Sequence, residues 1–212
     1  MNNNQKGALF DLDGVLIDSE TVYTSFWQEV APRYGQTAPT FALDIKGTTL
    51  TDILNTYFPD PQQQKEITEL VHRLEDEIVY PVFEGVREFL DSLTSAGFRI
   101  AVVTSSDNTK MEYLFRQQPW MRSRFDAIIT GSMVKNSKPD PEGYLLAAKN
   151  IGCNPQNCYV FEDSFQGLEA GRRAGATVIA LATTNPREKL EGKAAVVIDG
   201  FAGLDLKQLP KI

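Results

Sequence analysis

Histidine is almost missing from this chain. His72 is the single one among 212 residues, which leaves no material for a Ser-His-Asp triad or a histidine-rich metal site. It stands in the charged stretch Leu70-Val71-His72-Arg73-Leu74-Glu75, where a helix-surface position without catalytic duty is expected. Cysteine is scarce as well. Cys153 and Cys158 lie close together with no second pair and no nearby histidine, which is neither zinc-site spacing nor a disulfide framework, so a reducing cytoplasm is the expected compartment. Positive charge is in the minority: 21 Lys and Arg against 28 Asp and Glu give a net charge of −7. That excludes sequence-independent nucleic-acid binding through a basic surface. Any phosphate site must then be locally positive, built from a few lysines, backbone amides and a metal. No apolar run approaches the ~18 residues that cross a bilayer, and Met1-Asn2-Asn3-Asn4-Gln5-Lys6 lacks the apolar centre of a signal peptide, so no membrane partner is expected.

What is present is ample core material, with 42% hydrophobic residues in a length that fits one large domain or a core with a smaller insertion. The apolar run Gly7-Ala8-Leu9-Phe10 reads as a strand and leads directly into Asp11-Leu12-Asp13-Gly14. Because side chains alternate with period two, Asp11 and Asp13 are expected to point the same way at its carboxyl end. Two such carboxylates are costly unless a cation or a shared proton neutralises them. An ordinary strand ending in an Asp-Gly turn is the plainer alternative.

Downstream, helical spacing runs through 18–34, then from the Thr48/Thr49 break to Tyr57, then through 62–79, with Pro59, Pro61 and Pro81 as punctuation. These residues contain no convincing strand and read as a helical insertion. From Val82 onward strands and helices alternate. Strands are expected at 99–103, 127–129, 158–161, 177–181 and 195–198, and helices at 107–117, 141–150 and 165–174, besides one through Val86, Phe89, Leu90 and Leu93. Continuous apolar strands alternating with helices mean a parallel sheet covered on both faces, an α/β doubly wound fold whose ligands bind at the strands' carboxyl ends.

At those ends stand Asp11 and Asp13, then Thr104-Ser105-Ser106, then Glu162-Asp163-Ser164, with Lys138-Pro139-Asp140-Pro141 on a loop. Each group separately could be a helix cap or a solvated loop residue. Together they supply what phosphoryl transfer through an aspartyl-phosphate needs. That is a carboxylate nucleophile, carboxylates for Mg²⁺, hydroxyl and lysine donors for phosphoryl oxygens, and a second carboxylate to move a proton.

These motifs, with Gly167, Ala170 and Gly171, follow one another in the order and spacing of the haloacid dehalogenase superfamily, and the chain resembles its hydrolases with a helical cap inserted after the first motif. The resemblance implies a Rossmann-like core of residues 1–16 and 82–212 and a helical-bundle cap of residues 17–81. It implies Asp11 as nucleophile and Asp13 as general acid/base. Mg²⁺ would be held by the Asp11 carboxylate, the Asp13 carbonyl and Asp163, with Glu162 supporting a metal-bound water. Thr104, the amide of Ser105 and Lys138 would bind the phosphate. Asp at position 13 favours phosphoryl transfer over dehalogenation. The loop Lys46-Gly47-Thr48-Thr49-Leu50 resembles the cap loop of β-phosphoglucomutases, which makes Lys46 and Gly47, together with Asn108, candidate substrate contacts. Leu50 and Tyr23 stand where the mutases place an arginine and a histidine, and Asp107 where a lysine is expected. Losing cationic contacts to a second phosphate favours a Mg²⁺-dependent phosphatase for a small phosphorylated sugar, with β-phosphoglucomutase as the alternative. A phospho-accepting signalling module is disfavoured by the insertion and by the position of Asp11. Trp27, Tyr23 and Phe41 are expected in the cap's own core, and the protein is expected to act as a monomer.

Overall fold

A computed structural model describes residues 5–212, so Met1–Asn4 of the polar amino-terminal stretch lie outside the described residues. Strands β1 (Gly7–Phe10), β2 (Arg99–Val103), β3 (Ala127–Ile129), β4 (Cys158–Glu162), β5 (Thr177–Leu181) and β6 (Val196–Ile198) form one parallel sheet in the order β3-β2-β1-β4-β5-β6. The first strand is therefore central, with Phe10 beside Val102 on one flank and Phe161 on the other. The strand order reverses at β1, which opens a crevice at its carboxyl end.

Period-two alternation divides the core into two layers. Ala8, Phe10, Ile100, Val102, Phe161 and Ile179 pack on one face, while Leu9, Ala101, Val103, Val160 and Val178 pack on the other. On the first face Phe10 stacks on Phe161 at 4.4 Å between ring centroids, and Phe89 meets both edge-on. Both faces of the sheet are thus buried, as the continuous apolar strands require.

Among the described residues ten α-helices accompany the strands. The insertion carries α1 (Glu20–Val30), α2 (Phe41–Asp44), α3 (Leu50–Tyr57) and α4 (Pro61–Glu77). The rest are α5 (Val86–Ser95), α6 (Asn108–Gln117), α7 (Pro119–Arg122), α8 (Glu142–Asn150), α9 (Phe165–Arg173) and α10 (Arg187–Leu190). The helices of the insertion share a separate hydrophobic cluster centred on Trp27, Phe41, Ile53, Leu54, Phe58, Ile67 and Val71. Two crossings join it to the sheet side by side: the Asp18 amide donates to the Pro81 carbonyl at 2.9 Å, and the Phe83 amide to the Leu16 carbonyl at 3.1 Å. Among the described residues no helix is long and apolar enough to cross a membrane.

Two expected ends shift inward. The helix predicted from residue 18 to 34 ends as an α-helix at Val30, and Pro32 continues it only as a 3₁₀ turn through Tyr34, because proline offers no amide for the helical ladder. Likewise Pro141 is the residue before α8 rather than inside it. The short helix α2 lies in a stretch where no helix was expected; four residues are too few to establish a period.

Candidate active site

The chain leaves β1 through a tight turn. The Leu12 carbonyl accepts from the amides of Val15, Leu16 and Ile17, and Gly14 takes a left-handed backbone with φ +75°. A Cβ on Gly14 would stand 2.1 Å from a carboxylate oxygen of Asp163, so only glycine lets the β1 and β4 ends approach this closely. Asp11 is tied to β4 through its amide, which donates to the Phe161 carbonyl at 3.0 Å.

Asp11 and Asp13 each have a lysine partner of their own. Lys138 Nζ donates to Asp11 Oδ1 at 2.5 Å and to Glu162 Oε1 at 2.6 Å. Lys110 Nζ donates to Asp13 Oδ1 at 2.5 Å, while Ser19 and Ser106 hydroxyls also donate to that carboxylate. The two environments separate the aspartates electrostatically. Burial pushes Asp11 up to about 8 despite Lys138 beside it, with the Glu162 charge adding to the rise. Burial also opposes ionisation of Asp13, but Lys110 and the two serine hydroxyls hold it below the ordinary carboxylate range.

Glu162 is completely buried and fully satisfied. Oε1 accepts from Lys138 and, at 2.8 Å, from the Tyr144 hydroxyl, and Oε2 accepts from the amides of Asp163 and Ser164 and from the Ser164 hydroxyl. Its oxygens anchor Lys138 and the turn after β4. A Cβ on Gly167 would lie 1.7 Å from Glu162 Oε1, so the first turn of α9 must carry glycine to let this carboxylate pass. Ser164 caps that helix by accepting from the Gly167 amide at 3.0 Å.

The carboxylates of Asp11, Glu162 and Asp163 offer oxygens within 4.8 Å of one another. Burial raises Asp163 well above the usual range, and the Glu162 and Asp11 charges raise it further. Lys138 pairs with Asp11 and Glu162 and leaves Asp163 without an ion pair among the described residues, so the cluster is under-neutralised and all its donors are hard oxygens. That donor set fits a small divalent cation such as Mg²⁺.

Above these groups lies a cavity of about 270 Å³, lined by Asp11, Asp13 and Asp163 on the sheet side and by Tyr23, Lys46, Gly47, His72 and Glu75 from the insertion. Ser105 also lines it, and its hydroxyl donates across the gap to the Gly47 carbonyl at 2.6 Å. Thr104 and Lys138 sit buried just behind, where Thr104 Oγ1 accepts from the Ser106 amide at 3.0 Å. Lys46 reaches the cavity but is paired with Glu20 at 2.7 Å. Asn108 is a correction: it does not line the cavity, because its Oδ1 accepts from Thr130 at 2.9 Å and ties the start of α6 to the end of β3. His72 also departs from the solvent-facing position expected of it, since it is half-buried at the cavity wall with Nε2 3.1 Å from Asp107. Trp27 and Phe41 lie in the insertion's own core as expected, and Tyr23 packs against that core; Trp27 and Tyr23 also line the cavity.

Lys110 and Glu75 were not foreseen. A lysine in the first turn of α6 carries its side chain back toward the preceding strand end, because helical Cβ atoms tilt toward the amino terminus. That geometry, rather than the nearby Asp107, was the available signal. Glu75 stands four residues after Val71 and eight after Ile67, so it interrupts the buried stripe of α4 with a charge.

The sequence profile of the haloacid dehalogenase-like hydrolases matches residues 8–181. A phosphorylated carbohydrates phosphatase of Thermotoga maritima is 32% identical over 181 residues, covering 80% of this chain and 82% of its own. The fructose-1-phosphate phosphatase YqaB of Escherichia coli is 31% identical over 189 residues, covering 84% of this chain and 97% of its own. In three dimensions the chain is similar to the crystal structure of a β-phosphoglucomutase from Clostridium difficile. The TM-score is 0.80 at 25% identity, covering 96% of this chain and 94% of that one.

Proposed function

The chain belongs to the haloacid dehalogenase-like hydrolase family, and from that premise we propose that it is a Mg²⁺-dependent phosphatase acting on a small phosphorylated sugar through an aspartyl-phosphate on Asp11. The observation that carries this reading is the separate ammonium partner of each aspartate. Lys138 holds Asp11 in the cavity beside Asp163, while Lys110 keeps Asp13 apart as an independent proton carrier. Mg²⁺, held by the Asp11 carboxylate, the Asp13 carbonyl and Asp163, would supply charge neutralisation at the phosphoryl oxygens.

The residues of the chain do the rest. An Asp11 oxygen attacks phosphorus as the bond to the ester oxygen breaks, with Lys138, Thr104 and the Ser105 amide donating to the phosphoryl oxygens. An anionic phosphate arriving beside Asp13 raises its proton affinity, so Asp13 can carry the proton that the leaving alkoxide takes. Once the alcohol has gone, Asp13 is the base for water. Water attacks phosphorus, its proton passes to Asp13, and the phosphorus–Asp11 bond breaks to release phosphate. Residues 17–81 act as the cap over a core of 1–16 and 82–212, excluding bulk water during the first step and readmitting it for the second.

A second reading, phosphoryl transfer between two positions of one sugar, rests on the fold shared with the β-phosphoglucomutase. The two are separated by measuring phosphate release from a panel of sugar phosphates, nucleotides and pyrophosphate with Mg²⁺ or EDTA, alongside conversion of β-glucose 1-phosphate to glucose 6-phosphate. Release from sugar phosphates that stops with EDTA and falls to background in Asp11→Asn is the expected result. Full activity in Asp11→Asn would remove Asp11 as nucleophile, and isomerisation without net phosphate release would make the protein a mutase.

A further inference from the structure

The wall of the cavity contributed by α4 and the start of α6 is built from acceptors. Glu75, in the last turn of α4, is only 5% exposed. Its Oε1 accepts from the Tyr23 hydroxyl at 2.9 Å, and its backbone carbonyl from the Tyr80 hydroxyl at 2.7 Å, so the residue is held at its backbone and at one carboxylate oxygen. Its Oε2 is buried and has no partner among the described residues. Buried carboxylate oxygens are nearly always given a donor, and this one belongs to a residue that lines the same cavity as Asp11 and Asp13. Asp107 lines that cavity too, beside His72.

The cations in this cavity are already engaged. Lys46 is paired with Glu20 at 2.7 Å and Lys110 with Asp13 at 2.5 Å, and no arginine lines the cavity among the described residues. A second phosphate on the substrate would thus meet the Glu75 and Asp107 carboxylates without a free counter-charge. A hydroxyl there would find an acceptor waiting.

We propose that Glu75 Oε2 accepts a hydrogen bond from a hydroxyl of the substrate's leaving group, and that this contact selects monophosphates of polyhydroxylated, otherwise uncharged molecules over bisphosphates. The assignment rests on the phosphatase reading and sharpens its substrate class. A polar site built for a hydroxyl rejects the analogue lacking it, because the buried acceptor is left unpaired again.

The test measures kcat and KM of the full-length wild type, E75Q and Y23F on several substrates. They are a hexitol monophosphate, its analogues lacking one hydroxyl at a time, a hexose bisphosphate, phosphoethanolamine, and acetyl phosphate, which has no hydroxyl. E75Q keeps the side chain's shape, and its amide oxygen can still accept from Tyr23, while an NH₂ replaces the unpartnered oxygen. The wild type is expected to prefer the hexitol monophosphate over the bisphosphate by about a hundredfold or more in kcat/KM. E75Q is expected to lose about tenfold more on the hexitol monophosphate than on acetyl phosphate, mainly through KM. One deoxy analogue should reproduce that loss in the wild type and lose no more in E75Q. Y23F, which releases the other oxygen of the carboxylate, should show the same pattern at smaller size. Equal losses on all substrates, a bisphosphate used as well as the monophosphate, or a preference for the ammonium of phosphoethanolamine would each overturn the assignment. If the wild type hydrolyses none of the substrates, the phosphatase reading falls and takes this one with it. If it hydrolyses them and the variants show no selectivity, only the Glu75 assignment falls.

Discussion

Asp13 is surrounded by donors on three sides, and the strongest of them is the buried Lys110, whose ammonium also lies 4.2 Å from the centre of the Tyr23 ring. Removing one member of a buried ion pair leaves the other charge uncompensated, at a cost of about 3–5 kcal/mol. The Ser19 and Ser106 hydroxyls still bond Asp13 after that loss, which places the cost at the lower end. Lys110→Met is therefore expected to lower stability by roughly 3 kcal/mol in urea melts. It should lower phosphate release as well, because Asp13 loses the group that holds it ionised. A variant as stable as the wild type would mean that Lys110 is not the ion that balances Asp13.

At the scale of elements, the loop carrying Lys46 and Gly47 is held by the helix that follows it. Thr49 is the cap of α3, accepting from the Asp52 amide at 3.2 Å and donating to the Asp52 carboxylate at 2.8 Å. Thr49→Ala should cost about 1 kcal/mol, as cap removals do, and should also raise KM because the Lys46-Gly47 segment loses its downstream anchor. A melt and a substrate titration of the same variant read both effects, and an unchanged KM would confine Thr49 to the helix. A helix start at Thr48 or Thr49 was legible in the sequence, as were all six strands, because continuous apolar runs and helix-start residues are local signals; which of the two threonines caps was not. Partner assignments were not legible. That Asp11 goes to Lys138 and Asp13 to Lys110 depends on distances across 127 and 97 residues, which no local period encodes. Glu162 illustrates the same limit. Its position beside Asp163 was plain, but its donors come from Lys138, Tyr144 and its own turn, and only the folded chain brings those together.

For the whole molecule, the decisive seam is the one between the inserted helices and the sheet, because the cavity lies in it and α4 meets α6 along it. Arg116 reaches the Asp76 carboxylate, the Gln117 side chain accepts from the Tyr80 amide at 3.1 Å, and His72 meets Asp107, so the end of α4 is gripped at several points. Glu75 is buried inside this grip, and burial raises it from 4.5 to about 7, with Lys110 pulling the other way. The sign of the consequence follows from proton counting. Between those two values the folded chain keeps a proton on Glu75 that the unfolded chain has released, so stability falls as pH rises through the window. The penalty is absent below about 4.5 and complete above about 7. A displacement of this size corresponds to roughly 3 kcal/mol. Glu75→Gln removes the titration while leaving every other group in place. The stability of the variant relative to the wild type should therefore climb by up to about 3 kcal/mol between pH 4.5 and 8 in paired denaturant melts. A difference that stays flat with pH would mean that Glu75 ionises as readily in the folded protein as in water. The rising difference would instead show a carboxylate kept in the seam at a cost to stability, which is the cost expected of an acceptor retained for a ligand.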